Sequence, residues 1–274
     1  MHGCADVNLC TSAPIKAELE AHGIPRLDVW QRAVDSQRFH PTRANAAMRA
    51  RLSNGAPDQP LLLYAGRLAP EKDLETLAAL MARLPDVRLA LVGDGPQRSA
   101  LERMLPGSRT TFTGYLHGDE LATAFASSDV FVLPSRTETL GLVALEAMAS
   151  GCAVVAARAG GIPDLVTDDL TGYLYEPGDP DALMAAVRRA LGASESRTDD
   201  PLRVRARREA ERWTWSAATR QLETFYRAAQ QSQVHLAPVR RLAAAQNTVV
   251  ATSILIQILA GLFAASLRLR ARAA

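Results

Sequence analysis

Cysteine is scarce: Cys4, Cys10 and Cys152 are the three present in 274 residues. An odd count without metal-ligand spacing argues against a disulfide framework or a structural zinc, and it fits a reducing compartment such as a cytosol or an organelle stroma. Aromatic residues are 5% of the chain, too few for a stacking platform along a nucleic-acid strand. Neither sign of charge dominates: 31 Lys and Arg face 29 Asp and Glu, a formal net charge of +2, so no polyanionic partner is announced and no nucleic acid is expected. The opening Met1-His2-Gly3-Cys4-Ala5-Asp6 lacks a basic stretch leading into an apolar one, so no secretory signal is read at the first residue. An Asp-rich metal site and a dinucleotide glycine fingerprint are missing too, and no metal is expected.

What is present is a 48% hydrophobic composition, enough for one or two ordinary domains with a sizeable core. Val7–Cys10 predicts a short strand, and Thr11 or Ser12 predicts the cap of a helix over Pro14–Ala21. These read as the edge of a domain whose bulk lies outside the sequence. Arg26–Val34 predicts a strand and loop, followed by an irregular connector over Asp35–Pro41 and a polar stretch containing Ser53-Asn54-Gly55-Ala56-Pro57.

From Leu61 the rhythm becomes regular. Apolar strands at Leu61–Ala65, Val87–Val92, Thr110–Thr113, Val130–Leu133, Ala153–Ala156 and Gly172–Tyr175 are separated by helices at Asp73–Leu84, Gln97–Leu105, Asp119–Ser127 and Gly141–Ser150, with Pro180–Leu191 after the last. Continuous apolar strands joined by helices predict an α/β fold, a Rossmann-like, doubly wound parallel sheet covered on both faces. Such a sheet binds ligands at the carboxyl ends of its strands, so the loops after Ala65, Val92, Thr113 and Leu133 become the candidate site. Met81 and Met148 are expected in the core. Trp213–Ala229 predicts a further helix whose Trp215, Leu222, Phe225 and Tyr226 pack on a neighbour.

Thr248–Leu267 carries no formal charge and at about 1.5 Å per residue is long enough to cross about 30 Å of hydrocarbon. It fits a buried apolar helix, a membrane span or a membrane-surface helix. Arginines flank it on both sides, at Arg240 and Arg241 and at Arg268, Arg270 and Arg272, so they assign no orientation.

Four loops carry candidate chemistry. Gly66-Arg67 through Lys72 follows the first regular strand; Arg67 and Lys72 either hold a diphosphate and stabilise its negative charge, or Lys72 pairs at the surface with Glu71, Asp73 or Glu75. Gly93-Asp94-Gly95-Pro96 is either a structural turn or a wall of the same pocket. In Gly114-Tyr115-Leu116-His117 a flat base can lie against the loop, with Tyr115 packing or stacking, while His117 reads as a surface or helix-capping residue.

The most specific run is Pro134 to Met148. Glu138 ends a strand-loop and Glu146 lies inside the following helix, at most about 12 Å further on, which lets the two acids read opposite ends of one ligand. Thr139, Leu140 and Gly141 bring unpaired backbone N–H groups to the helix start, a ready phosphate site. Glu146 amid Val143, Ala144, Leu145, Ala147 and Met148 requires a hydroxyl-rich ligand or an Arg partner, because an unpaired buried carboxylate is costly. Gly160-Gly161-Ile162-Pro163-Asp164 forms a constrained turn beside the cleft, either structural or touching a bound sugar.

These residues carry a resemblance. Leu61–Leu191 resembles the C-terminal domain of retaining glycosyltransferases with two facing Rossmann-like domains, the GT-B architecture, a group that contains sucrose-phosphate synthases and bacterial mannosyltransferases. A narrower resemblance is to its sulfolipid-forming branch, on Val34–Pro41, Met48–Gly55, Gly114–Leu121 and Ala156–Asp164; the run Arg51-Leu52-Ser53-Asn54-Gly55 is the most particular to that branch.

The resemblance implies transfer of sulfoquinovose from UDP-sulfoquinovose to diacylglycerol with retention, or of a hexose from another nucleotide sugar; a truncated, noncatalytic nucleotide-binding or membrane-associated module is the alternative from another class. It implies Arg67, Lys72 and Glu138 as catalytic residues and Gly66, Gly93, Tyr115, Leu116, Thr139, Leu140, Gly141 and Glu146 as donor-binding ones. Glu138 would contact the donor sugar and Glu146 the ribose. It also implies no cofactor besides the UDP-sugar donor substrate, a lipid acceptor, an N-terminal domain not contained in the sequence, and a chloroplast or photosynthetic membrane surface, or else the cytoplasmic face of a membrane. The corresponding division is 1–40 as a remnant of the acceptor-side domain with its connector, 41–200 as the nucleotide-sugar-binding domain, 201–235 as a helical return and 236–274 as a tail.

Overall fold

The structure, a computed structural model, describes residues 5–192 and 200–231. The apolar segment Thr248–Leu267, along with His2 and Cys4, lies outside the described residues. The chain divides into two compact units, Met1–Leu222 and Glu223–Ala274. In the second, residues 223–231 are helical, with Glu223 and Arg227 paired at 3.6 Å.

The first unit opens with β1 (Asn8–Cys10) and β2 (Leu27–Val29), a parallel two-stranded sheet joined by α1 (Ala13–Ala21). Ser12 caps α1, its hydroxyl accepting from the Ile15 N–H. The six-stranded sheet follows: β3 (Leu61–Ala65), β4 (Arg88–Val92), β5 (Thr110–Gly114), β6 (Val130–Leu133), β7 (Ala153–Ala157) and β8 (Tyr173–Tyr175), in spatial order β5-β4-β3-β6-β7-β8 and parallel throughout. Every residue of β3, β6, β7 and β8 is buried, which is why these strands read as unbroken apolar runs. Each fully buried Leu of β3 contributes about 1.5–3 kcal/mol relative to exposure.

The chain winds outward from β3 to β5, then returns to start the other half at β6. The crevice between the carboxyl ends of β3 and β6 is therefore the topological switch point, where open α/β sheets take their ligands. The faces are covered by α3 (Thr76–Ala82), α4 (Arg98–Met104), α5 (Gly118–Ser127), α6 (Leu142–Ala149), α7 (Pro180–Gly192) and α8 (Pro201–Ala210). Met81 and Met148 are fully buried.

Two elements differ from the sequence reading. The helix expected from Asp73 starts at Thr76, because Asp73 adopts a left-handed conformation (φ 53°) after a 3-10 turn at Pro70–Lys72, and its carbonyl accepts the Thr76 hydroxyl at 2.7 Å. The polar stretch before Ser53 contains a helix, α2 (Ala46–Leu52), capped by the Asn45 side chain on the Met48 N–H. Within the stretch read as a helical return, the Arg-rich segment from Pro201 is α8, capped by Asp200. Trp215, expected to pack, is 53% exposed, while Trp213 is packed against the core. Cys10 and Cys152 are buried, and the Cys152 thiol donates to Ser128 O at 3.6 Å. No helix among the described residues is long and apolar enough to cross a membrane.

Arg49 fastens α2 to the sheet with all five of its donors. Nε reaches Pro57 O; Nη1 reaches Ser127 O and Asp129 Oδ1; Nη2 reaches Gln59 O and Asp129 Oδ2. The Leu61 N–H also donates to Asp129 Oδ2, so this pair sets the entry of the central strand.

Candidate functional site

The switch point sets the loop after β3 beside the loop after β6. Lys72 Nζ stands 3.1 Å from Glu138 Oε2, both side chains largely buried. Glu138 Oε1 accepts the Gly141 N–H at 3.2 Å, so one carboxylate ties the basic loop to the start of α6. The surface pairing considered for Lys72 is not formed: Glu71 pairs with Arg67 at 3.1 Å and Asp73 with Arg136 at 3.0 Å. Gly141 occupies the N-cap of α6 at φ 67° and provides no side-chain cap. Its own N–H is not free, as the sequence had suggested, but committed to Glu138; the first-turn amides of α6 receive no side-chain cap among the described residues. Thr139 is exposed and Leu140 half-buried on the same loop.

The Gly160-Gly161 turn is packed on this acid loop. A β-carbon at Gly160 would fall 2.0 Å from Glu138 O, and one at Gly161 2.1 Å from Thr139 O. Gly161 N–H donates to Glu138 O at 2.8 Å. The turn is structural, and what it structures is the backbone carrying Glu138.

Beside these loops a cavity of about 180 Å³ is lined by Gly66, Gly93, Tyr115, Leu116, His117 and Glu146, among others. Gly93 (φ 132°) is required there because a β-carbon would sit 1.9 Å from Gly66 O. Tyr115 is 59% exposed, its hydroxyl donates to Asp94 O at 3.2 Å, and its ring stacks on His117 with centroids 6.0 Å apart and 17° between planes. His117 holds the N-cap position of α5 without a side-chain cap bond, so it serves as cavity wall and not as a cap. The alternation Tyr115-Leu116-His117, with Leu116 buried between two exposed rings, was the signal for it.

Glu146 enters the cavity from α6 with no hydrogen-bond or ion-pair partner among the described residues, and burial pushes its pKa up to about 7. Of the two ways to satisfy this carboxylate, an arginine is therefore not used, and the hydroxyl-rich ligand remains. A larger cavity, of about 490 Å³, lies by Ser150, Arg203 and Arg207, before β7. Two of its three arginines are already engaged: Arg203 pairs with Asp200 at 3.1 Å, and Arg207 donates to the carbonyls of Phe39 and Ala149. No group of three or more His, Cys, Asp or Glu among the described residues is placed to hold a metal ion.

A paired-acid loop and a basic loop meeting at the switch point of a 3-2-1-4-5-6 sheet are matched in known proteins. Residues 59–193 match the family described as glycosyl transferases group 1. Those residues form a glycosyl transferases group 1 domain. It is 47% identical over 225 residues to sulfoquinovosyl transferase SQD2 of Arabidopsis thaliana, covering 80% of this chain and 44% of that protein. It is 43% identical over 206 residues to a GDP-mannose-dependent alpha-mannosyltransferase of Mycobacterium tuberculosis, covering 72% of this chain and 53% of the relative. The chain thus spans about half the length of either. The fold matches that of Anabaena HepE, solved in complex with UDP-glucose, at a TM-score of 0.72 and 22% identity, over 82% of this chain and 64% of that one. The sheet is a partial GT-B architecture.

Proposed function

We propose that the chain is the donor-binding half of a retaining glycosyltransferase that moves sulfoquinovose from UDP-sulfoquinovose to diacylglycerol. The observation that carries the donor-binding reading is Glu146, an unpartnered carboxylate in a cavity walled by two stacked rings and two glycines. Ribose hydroxyls supply the donors it lacks, and the base lies on Tyr115 and His117, against the backbone at Leu116, Gly66 and Gly93. Arg67 and Lys72 take the diphosphate together with the amides at Thr139 and Leu140, the Gly141 amide staying on Glu138, and Glu138 contacts the sugar. The choice of sulfoquinovose follows the likeness to the Arabidopsis enzyme.

In this reading departure of UDP is driven by charge stabilisation. The Arg67 and Lys72 cations and the α6 amides face the negative charge that develops on the leaving diphosphate, and the acceptor hydroxyl enters on the same face and gives its proton to the leaving phosphate. Lys72 exchanges part of its contact with Glu138 for phosphate as the donor enters. The acceptor groove belongs to an N-terminal domain of the full protein, of which residues 1–40 are the last part, with 41–200 as the donor domain, 201–235 as the return and 236–274 as a tail in contact with a membrane. The setting is a photosynthetic membrane surface in a chloroplast.

The test is calorimetric titration of the chain with UDP, beside Glu146→Ala: saturable binding abolished by the substitution supports the site, and equal binding by both rejects it. A second reading keeps the site but changes the donor, favoured by the likeness to a GDP-mannose-dependent enzyme. Saturation-transfer NMR with UDP-sulfoquinovose, UDP-glucose and GDP-mannose separates the two, and preference for either of the last would count against sulfoquinovose.

A further inference from the structure

Arg32 lies in the segment after β2, far in sequence from both acids, yet the residue is 4% exposed and its guanidinium reaches the donor loops. Nη1 donates to Gly161 O at 3.1 Å, and Cζ stands 5.5 Å from the centre of the Trp213 ring. The backbone carrying it is fixed on both sides: Trp30 Nε1 donates to Ala218 O at 2.9 Å, and Val34 N–H to Trp213 O at 2.8 Å. Burying a cation is expensive unless its contacts are specific. Here the specific contact is the carbonyl of the residue whose N–H holds Glu138 O at 2.8 Å. The Gly161 peptide is therefore gripped from opposite sides, by Arg32 on its residue's carbonyl and by the acid loop on its amide. Asp164, in the same turn, accepts from Ala13 N–H at 3.3 Å, so the segment before β3 meets the turn at a second point.

We infer that Arg32 is a positioning residue for the acid loop: through Gly161 it fixes where Glu138 stands, and so makes the sugar contact depend on the connector that leads out of the β1–β2 sheet. The inference rests on the reading of Glu138 as the sugar contact. It separates two parts of donor binding, because the Glu146 cavity is built by other loops and touches none of the Arg32 contacts.

The test uses the full chain as wild type, Arg32→Ala and Arg32→Lys. Without ligand, hydrogen exchange is followed at the Gly161 and Gly141 amides, both bonded to Glu138, with β7 amides as the internal reference. The expected result is exchange about threefold or more faster at both amides in Arg32→Ala, slower again in Arg32→Lys, and unchanged in β7. Equal exchange in all three proteins overturns the inference. Titration then compares UDP with UDP-sulfoquinovose: the affinity that the sugar adds is expected to shrink about threefold or more in Arg32→Ala, UDP affinity itself being held within about twofold. A uniform loss for both ligands refutes the positioning role while leaving the donor reading intact. Failure of the wild type to bind UDP sinks the donor reading, and the exchange result still decides for or against Arg32. Should Arg32→Ala not fold, Arg32→Met, which keeps much of the apolar stem and removes the donors to Gly161 O, takes its place in both comparisons.

Discussion

Replacing Glu146 by Gln should make the protein more stable and a worse binder at the same time. Burial without a partner raises the Glu146 pKa from 4.5 to about 7. The ionised form is thus disfavoured in the folded chain, by about 3 kcal/mol for a shift of that size. A raised carboxyl pKa adds stability that is fully present below the unfolded value and lost as pH rises through the folded one, so wild type should lose stability between about pH 4.5 and 7. Glu146→Gln should remove that slope and be more stable than wild type at pH 8 by up to about 3 kcal/mol, with little difference at pH 4. Binding runs the other way. Ribose hydroxyls favour the ionised carboxylate, so a ligand must draw a proton off the acid below pH 7. Uridine, which has no phosphate to titrate, should bind about tenfold more weakly at pH 6 than at pH 8. Glu146→Gln should abolish that dependence and cost about 1.5–3 kcal/mol of uridine affinity at pH 8. Urea denaturation across pH and calorimetry with uridine read the two effects, and His117→Gln, altering another group in the cavity, shows which residue owns the inflection. A flat stability profile in wild type, or uridine binding indifferent to Glu146, refutes the reasoning.

Other loops offer sharper separations. Lys72→Ala should weaken UDP binding about tenfold or more while leaving uridine within about twofold, as measured by the same titration, since the lysine is assigned to phosphate alone. Gly93→Ala forces a β-carbon into Gly66 O at φ 132°, and should lower stability by more than about 2 kcal/mol in urea and abolish uridine binding. Arg49→Ala leaves Asp129 without its clamp and should cost about 2 kcal/mol or more of stability, with uridine affinity at saturation unchanged.

The sheet was legible because β3, β6 and β7 are buried on both faces and so read as plain apolar runs between turns. The helix α2 was not, and α8 was read only as part of a helical return. Three of the seven residues after Asn45 that form α2 are apolar alanines and two are arginines, giving no stripe to recognise. The buried face of α8 is Leu202, Arg203, Ala206 and Ala210, and its arginine is tolerated only because Asp200 stands 3.1 Å away. In the site, the demand that Glu146 be met by a ligand or an arginine followed from its apolar neighbours; that no arginine among the described residues comes is a fact of three dimensions. Arg32 lay beyond reach of sequence spacing, since its contacts are Gly161 and Trp213.

The run Arg51-Leu52-Ser53-Asn54-Gly55, which most closely marks the sulfolipid branch in the sequence, is the way α2 stops. Arg51 pairs with Glu120, Leu52 is fully buried, Ser53 is the C-cap and returns its hydroxyl to Ala50 O, and Asn54 and Gly55 take positive φ to turn the chain away. With Arg49 wholly engaged in the same corner, none of this stretch lines the Glu146 cavity. Shared spelling there records common descent of a scaffold. On the proposed donor reading, a change of sugar falls to the loop that carries Glu138, and α2 is carried unaltered from one specificity to the next.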